Sequence, residues 1–157
     1  MNLHPSFVHI VESLQPSFEK LIAQSPIKPV KLAPGLPSAG VYLFTEAGRH
    51  LYVGRSNNLR RRMQRHGSAG ATYKQAAFAF RLAREQTGKL KATYKTEGSR
   101  AHLMEDPDFA LAFDNAKRRI CGMDLRFVEE PNPLRQAVLE MYVAVALGTP
   151  YNDFDNH

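Results

Sequence analysis

The sequence predicts an α/β chain of the α+β kind, short strands set among helices, and three observations predict it. Apolar residues recur at helical spacing over 5–24 and again over 133–147. Two short apolar runs, 41–44 and 50–53, read as strands joined through Glu46-Ala47-Gly48, a three-residue turn whose last position suits glycine. A further run, 123–128, reads as a third strand. With 157 residues the chain is long enough for one domain with a real core and short for two.

In chain order, Phe7, Val8, Ile10, Val11, Leu14, Phe18, Leu21 and Ile22 define the first helix. Pro16 falls inside it and lacks an N–H, which predicts a kink, or two helices divided near Ser13 or Gln15. The prolines between Pro26 and Gly40 forbid a helix and predict an extended connector. Residues 1–39 thus read as a helical arm with its connector, packed on the domain or serving as a dimerisation element, and 40–157 as the domain itself. The three-residue turn sets the hairpin register: Thr45 with Arg49, Phe44 with His50, Leu43 with Leu51, Tyr42 with Tyr52 and Val41 with Val53. The tyrosines are then directly opposed, with Cβ atoms about 5 Å apart, and the leucine–valine face becomes the core side. Ser56 is placed to cap a helix over 57–66. Leu59 and Met63 are its apolar pair, Arg62 and His66 share the face that abuts the fold, and Arg60, Arg61 and Arg65 point away. Residues 71–86 read as a helix around Phe78 and Leu82, 87–104 as a basic and weakly patterned stretch, and 108–119 as another helix. The last helix, 133–147, opens on proline and ends before Gly148.

Charge narrows the partner. The chain carries +6, and residues 49–66 alone hold six arginines (Arg49, Arg55, Arg60, Arg61, Arg62, Arg65) and no acid. The remaining 15 basic and 15 acidic residues cancel, so the excess sits in one place and calls for an anion there, phosphate above all. Cys121 is the single cysteine, which excludes an internal disulfide and a cysteine-based zinc cluster. The N-terminus does not read as a secretory leader and no apolar run has membrane length. The expected setting is cytoplasmic, with no membrane partner.

Gly40-Val41-Tyr42, Tyr52-Val53-Gly54 and then Asn58-Leu59-Arg60-Arg61-Arg62 together resemble the GIY-YIG nuclease family. Two triplets at hairpin spacing, followed by the Asn-Leu-x-x-Arg helix, make the resemblance specific over 40–66; it extends to 123–152 and leaves 67–122 as an insertion. It implies a small three-stranded antiparallel sheet flanked by helices and a metal-dependent DNA endonuclease that hydrolyses phosphodiesters; RNA is not excluded as substrate. Tyr42 and Tyr52 match the family's two tyrosines, either of which would serve as general base. A phenol does so only if its pKa falls from about 10, and Arg55 is the cation expected to lower it. Arg62 matches the arginine that holds the scissile phosphate. His66 matches a histidine found in some branches, expected to contact phosphate or relay a proton. Arg55, Arg60, Arg61 and Arg65 would hold the polyanion.

The resemblance also implies a metal ligand on a later helix. Glu140 is the only acid among the apolar residues of 133–147, where a carboxylate is costly to bury without a cation; Glu105, Glu129 and Glu130 are the alternatives. The ion would be Mg2+ or Mn2+, since one carboxylate with water ligands suits both. Asn152, after the Thr149-Pro150-Tyr151 turn, would position substrate or support the tyrosines. Within 67–122, lysines and arginines interleave with Tyr73, Phe78, Phe80 and Tyr94, which reads as a DNA-positioning surface or as a structural insert. Two rivals to catalysis are a nucleic-acid-binding module without activity and a protein-interaction domain that docks through the N-terminal arm.

Overall fold

A computed structural model of the chain describes residues 2–89 and 99–154; Lys91, Tyr94, Lys95 and Glu97 of the basic stretch lie outside them. Three strands, β1 (Gly40–Glu46), β2 (Arg49–Ser56) and β3 (Asp124–Glu129), form one antiparallel sheet in the order β2-β1-β3. Among the described residues, six helices surround it: α1 (Pro5–Ala23), α2 (Leu59–Gly67), α3 (Ala77–Thr87), α4 (Arg100–Glu105), α5 (Pro107–Cys121) and α6 (Pro133–Leu147). The fold is thus the α+β arrangement with a small three-stranded sheet that the sequence predicts.

The hairpin differs in register from the sequence expectation. Its loop has two residues, Ala47 and Gly48, with φ of 50° and 78°. Two successive left-handed residues match the natural twist of a hairpin, so Glu46 pairs with Arg49 and Thr45 with His50. Leu51 is then an extra residue, a bulge, because Phe44 pairs with Tyr52. Each of the two irregularities moves the pairing by one, so Tyr42 faces Gly54 instead of Tyr52. The total shift is even, so Tyr42 and Tyr52 stay on one face; their ring centroids are 6.3 Å apart. The bulge also brings Leu51 to that same side, into one core cluster with Tyr42, Phe44 and Tyr52.

Both faces of the sheet are buried, where the sequence pointed to one. Val41, Leu43, Val53 and Val128 pack against Leu14 and Leu21 of α1 and Leu139, Val143 and Ala144 of α6. The tyrosine face packs against α2, α3 and α5 through Met63, Phe78, Phe80, Phe109, Phe113 and Ile120. The described stretches 71–89 and 99–121 therefore form one wall of the core. Phe78 and Phe80, read as part of a DNA-positioning surface or of a structural insert, are 0% and 1% exposed, which fits the structural insert. Lys117 is spent likewise: its ammonium, buried, donates to the carbonyls of Ala69 and Ala71 and pairs with Asp114.

Three smaller expectations are also corrected. α1 is one continuous helix through Pro16 and is not divided in two, because packing against α6 and the sheet outweighs the one backbone hydrogen bond that proline omits. Asn58, and not Ser56, caps α2: its side chain accepts from the Arg61 N–H at 3.0 Å, while Ser56 Oγ accepts from the Asn58 N–H. α3 begins at Ala77, after turns over 73–75. The sheet edges are both covered, as exposed edges demand. Ile27 bridges to Leu125, and Gln24 accepts from the Phe127 N–H on the β3 side. On the β2 side, Tyr151 N–H donates to the Leu51 carbonyl.

Candidate active site

Tyr42 stands on the central strand and points its ring across Gly54 of β2. A Cβ built on Gly54 would lie 2.3 Å from the Tyr42 hydroxyl, so only glycine leaves room for the phenol there. Gly40, in the mirror triplet, is constrained in the same way: a Cβ would lie 2.0 Å from the Val128 carbonyl oxygen. Both glycines lie toward the open end of the hairpin, away from its turn, and let neighbouring groups close over the backbone there.

The Tyr42 hydroxyl meets two residues of α2. Arg62 Nε–H donates to it at 3.0 Å, and His66 Nε2 lies 2.8 Å away. Asn58 starts the helix; Leu59 and Met63 bury its apolar stripe; one further turn brings Arg62 and His66 in together, as their spacing predicts. Arg62 is fixed a second time, by donating from Nη1 to the Gln75 carbonyl at 3.0 Å. Burial acts to lower its pKa, but Tyr42 and Tyr52 together more than offset this and raise it.

His66 is 0% exposed, with the rings of Tyr42, Phe44, Tyr52 and Phe78 about it at 5.1 to 6.4 Å. It therefore does not reach a phosphate; it reaches Tyr42. Burial, and then the charge of Arg62, hold its pKa well below the ordinary histidine value, so the ring is neutral. The hydrogen bonds are satisfied together when Tyr42 accepts from Arg62 and donates to His66 Nε2. The remaining proton then sits on Nδ1, which is buried without a partner among the described residues.

Tyr42 departs from the sequence expectation. Its pKa is raised, not lowered, with burial the leading cause and Tyr52 the next; Arg62 opposes them and Glu140 adds to them. Arg55 is not the cation beside it. In the register, Arg55 pairs with Val41, which directs its side chain to the α6 side, where Nε bonds Glu140 Oε2 at 3.0 Å. Tyr52, 8% exposed, stacks on Phe78 with centroids 4.7 Å apart and acts on the same Arg62 guanidinium.

Glu140 comes from α6 to this group. Burial raises its pKa, opposed by Arg55 and by Arg62, and its own charge acts on Tyr42. Of the alternatives, Glu130 is bonded to Arg135 at 2.9 Å, and Glu129 and Glu105 are exposed at the ends of β3 and α4. No group of three or more His, Cys, Asp or Glu among the described residues could hold a metal. A single half-buried carboxylate, with one oxygen bonded to Arg55 and the other not hydrogen-bonded among the described residues, fits a hard cation that keeps most of its water ligands.

Asn152 grips the β2 backbone. Its Oδ1 accepts from the Val53 N–H at 2.9 Å and from the Thr149 hydroxyl at 2.8 Å, and its Nδ2 donates to the Val53 carbonyl at 2.7 Å. It thereby fixes the residue between Tyr52 and Gly54. Of the other arginines, Arg60 donates to the Ala33 carbonyl at 2.7 Å, while Arg61 and Arg65 have no side-chain partner among the described residues. Gln75 was not foreseen as a site residue, since a backbone carbonyl leaves no mark in a sequence, and Phe78 was read as a helix position and as one aromatic of 67–122, not as a neighbour of His66.

Residues 38–101 match the family model of the GIY-YIG catalytic domain. The matched segment supplies Tyr42, Tyr52, Arg62 and His66, so the site's core is similar to that catalytic domain. No curated protein and no solved structure matches the chain. Among the described residues, no helix is long and apolar enough to cross a membrane.

Proposed function

We propose that this chain is a nuclease of the GIY-YIG superfamily, a metal-dependent DNA endonuclease that hydrolyses phosphodiester bonds at Tyr42, Tyr52, Arg62 and Glu140. The observation that carries the reading is the fixed guanidinium of Arg62. It is tethered to Tyr42 and Gln75 and acted on by Tyr52, and Glu140 is near enough for the charge of Arg62 to lower its pKa. A guanidinium held still beside a phosphate stabilises the charge that builds on it in the transition state, at no reorganisation cost.

The two tyrosines take different roles in this reading. Tyr42 is enclosed and hydrogen-bonded on both sides, so it holds Arg62 in place. Tyr52, the more exposed of the pair, is the one that orients or deprotonates the attacking water. His66 keeps Tyr42 turned so that its lone pair faces Arg62. Glu140 would hold Mg2+ or Mn2+, which when bound supplies a Lewis acid to the phosphoryl oxygens.

The Arg55–Glu140 ion pair favours a second reading, a DNA-binding module without catalysis, because the carboxylate already has a cation. Labelled duplex, nicked, branched and single-stranded DNA, with matching RNA, separate the two when incubated with Mg2+, Mn2+ or EDTA. Arg62→Ala and Glu140→Ala run alongside. Cutting that needs metal and falls by about 10²–10³ in Arg62→Ala supports the endonuclease. Binding without cutting on every substrate, indifferent to both substitutions, would leave the binding module.

A further inference from the structure

Most of the cations whose surroundings are described are already engaged by the protein. Arg55 is bonded to Glu140, Arg60 to the Ala33 carbonyl, Arg119 to Glu46 and Arg135 to Glu130. Lys28, Lys89 and Lys117 pair with Asp124, Asp106 and Asp114. Arg61 and Arg65 differ. They lie four apart on α2, hence on one face, with no acid near them in sequence and no side-chain partner among the described residues. Like charges at this spacing destabilise an isolated helix, so the pair works against the fold unless an anion answers it.

The two arginines also share a concavity. A cleft of about 370 Å3 is lined by Arg61, Arg65, Gln64, Ser68, Ala71 and Gln75. Gln75 is the residue whose carbonyl holds Arg62 Nη1, so the cleft and the candidate active site have a wall in common. The loop that forms this wall is fastened from beneath by the buried ammonium of Lys117 on the Ala69 and Ala71 carbonyls. The cleft is therefore a firm, positively charged recess beside Arg62.

We infer that Arg61 and Arg65 hold a backbone phosphate of the DNA strand next to the one that Arg62 engages. This rests on the nuclease reading for the identity of the strand. It deepens that reading, because a second phosphate fixes the register in which the strand crosses the site. Contacts of this kind position a nucleic acid without reading its sequence. Of the four arginines outside the catalytic pair of phosphate and tyrosine contacts, the inference selects these two and removes Arg55 and Arg60, which the protein uses itself.

The test is the salt dependence of DNA binding, read by fluorescence anisotropy of a labelled duplex over a KCl titration. It compares the wild type with R61Q/R65Q and with R61K/R65K. The control K20Q/K31Q removes the same charge from the N-terminal region. Each phosphate contact contributes about 0.9 to the slope of log K against log salt. R61Q/R65Q should flatten the slope by at least about 0.9, with R61K/R65K restoring it and K20Q/K31Q leaving it unchanged. A slope in R61Q/R65Q equal to that of the wild type, or matched by the control, overturns the inference even if the wild type cuts DNA. A wild type that binds without cutting, with the slope still flattened in the variant, sinks the nuclease reading and leaves this subsite standing. No DNA binding by the wild type overturns both.

Discussion

On the side of the sheet that meets α1 and α6, the buried residues are Val41, Leu43, Val53, Leu14, Leu21, Leu139 and Val143, aliphatic throughout. On the side that meets α2, α3 and α5, Tyr42, Phe44, Tyr52 and Phe78 enclose His66, and the Tyr42 hydroxyl is bonded to both His66 and Arg62. The same three strands serve both layers, because successive residues alternate faces. The buried aliphatic side chains of the first layer demand only volume, with polar links such as Arg135 to Ser13 and Glu130 added beside them. The aromatic layer contains buried polar atoms, each of which needs a partner, so its geometry is specified much more narrowly. A site that must hold a guanidinium still is built on the second kind of layer, with the first providing stability from behind.

Four substitutions test that division, in order of expected effect. Leu21→Ala removes a fully buried side chain from the aliphatic layer and should cost about 2–5 kcal/mol in urea denaturation. Cleavage per folded molecule should be unchanged; a rate loss beyond the unfolded fraction would break the comparison. Gly54→Ala adds one methyl to the aromatic side, where it meets the Tyr42 hydroxyl. It should cost about 1–3 kcal/mol by overpacking, with cleavage down by about 10² as Tyr42 and Arg62 are displaced.

The third is a pH effect. His66 has a folded pKa well below its usual value, while the unfolded ring titrates near 6.5. Below pH 6.5 the unfolded chain therefore binds a proton that the folded chain refuses, and stability falls as pH falls, by up to about 1.4 kcal/mol per unit. His66→Phe, whose ring suits the aromatic surround, should remove that slope. His50, whose pKa burial and then Arg126 also lower, keeps its smaller share of the same sign in both proteins. Identical stability–pH curves for wild type and His66→Phe between pH 7.5 and 5 would show that the buried ring is not neutral. The smallest effect is expected from Asn152→Ala. It frees the β2 edge at Val53 to water at a cost of about 1 kcal/mol, visible as faster amide exchange at Val53 and its neighbours.

Much of the fold was legible because it depends on local pattern. The helix over 133–147 agrees with α6 from Pro133 to Leu147, since a proline at its start and a glycine in a left-handed cap at Gly148 mark both ends. The strand read over 123–128 is observed one residue on, at Asp124–Glu129. The hairpin register was not legible. It turns on whether Glu46 belongs to the loop or the strand and on a bulge at Leu51, and neither has a distinctive residue. The parity of the two shifts preserved the tyrosine face nonetheless. α1 passed through Pro16 because tertiary packing overrode a local breaker, and 67–122 read as an insertion because its apolar residues have no partner visible in their own neighbourhood.

The candidate site divides in the same way. The identities of Tyr42, Tyr52, Arg62, His66, Glu140 and Asn152 stand in the sequence, and the spacing of Arg62 and His66 on one helix face follows from 3.6 residues per turn. Which cation meets which anion does not. Arg55 turns to Glu140 because a strand alternates its faces. Tyr42 is raised rather than activated because burial outweighs one nearby guanidinium. His66 is sealed from any phosphate because Phe44 and Phe78 close over it. The sequence by itself determined the residue types, their helical and strand periods and the concentration of charge, since these are properties of the chain along its length. Only the tertiary structure decided desolvation and pairing, because both depend on the distance between groups that the sequence holds far apart, as with Val53 and Asn152, 99 residues from each other.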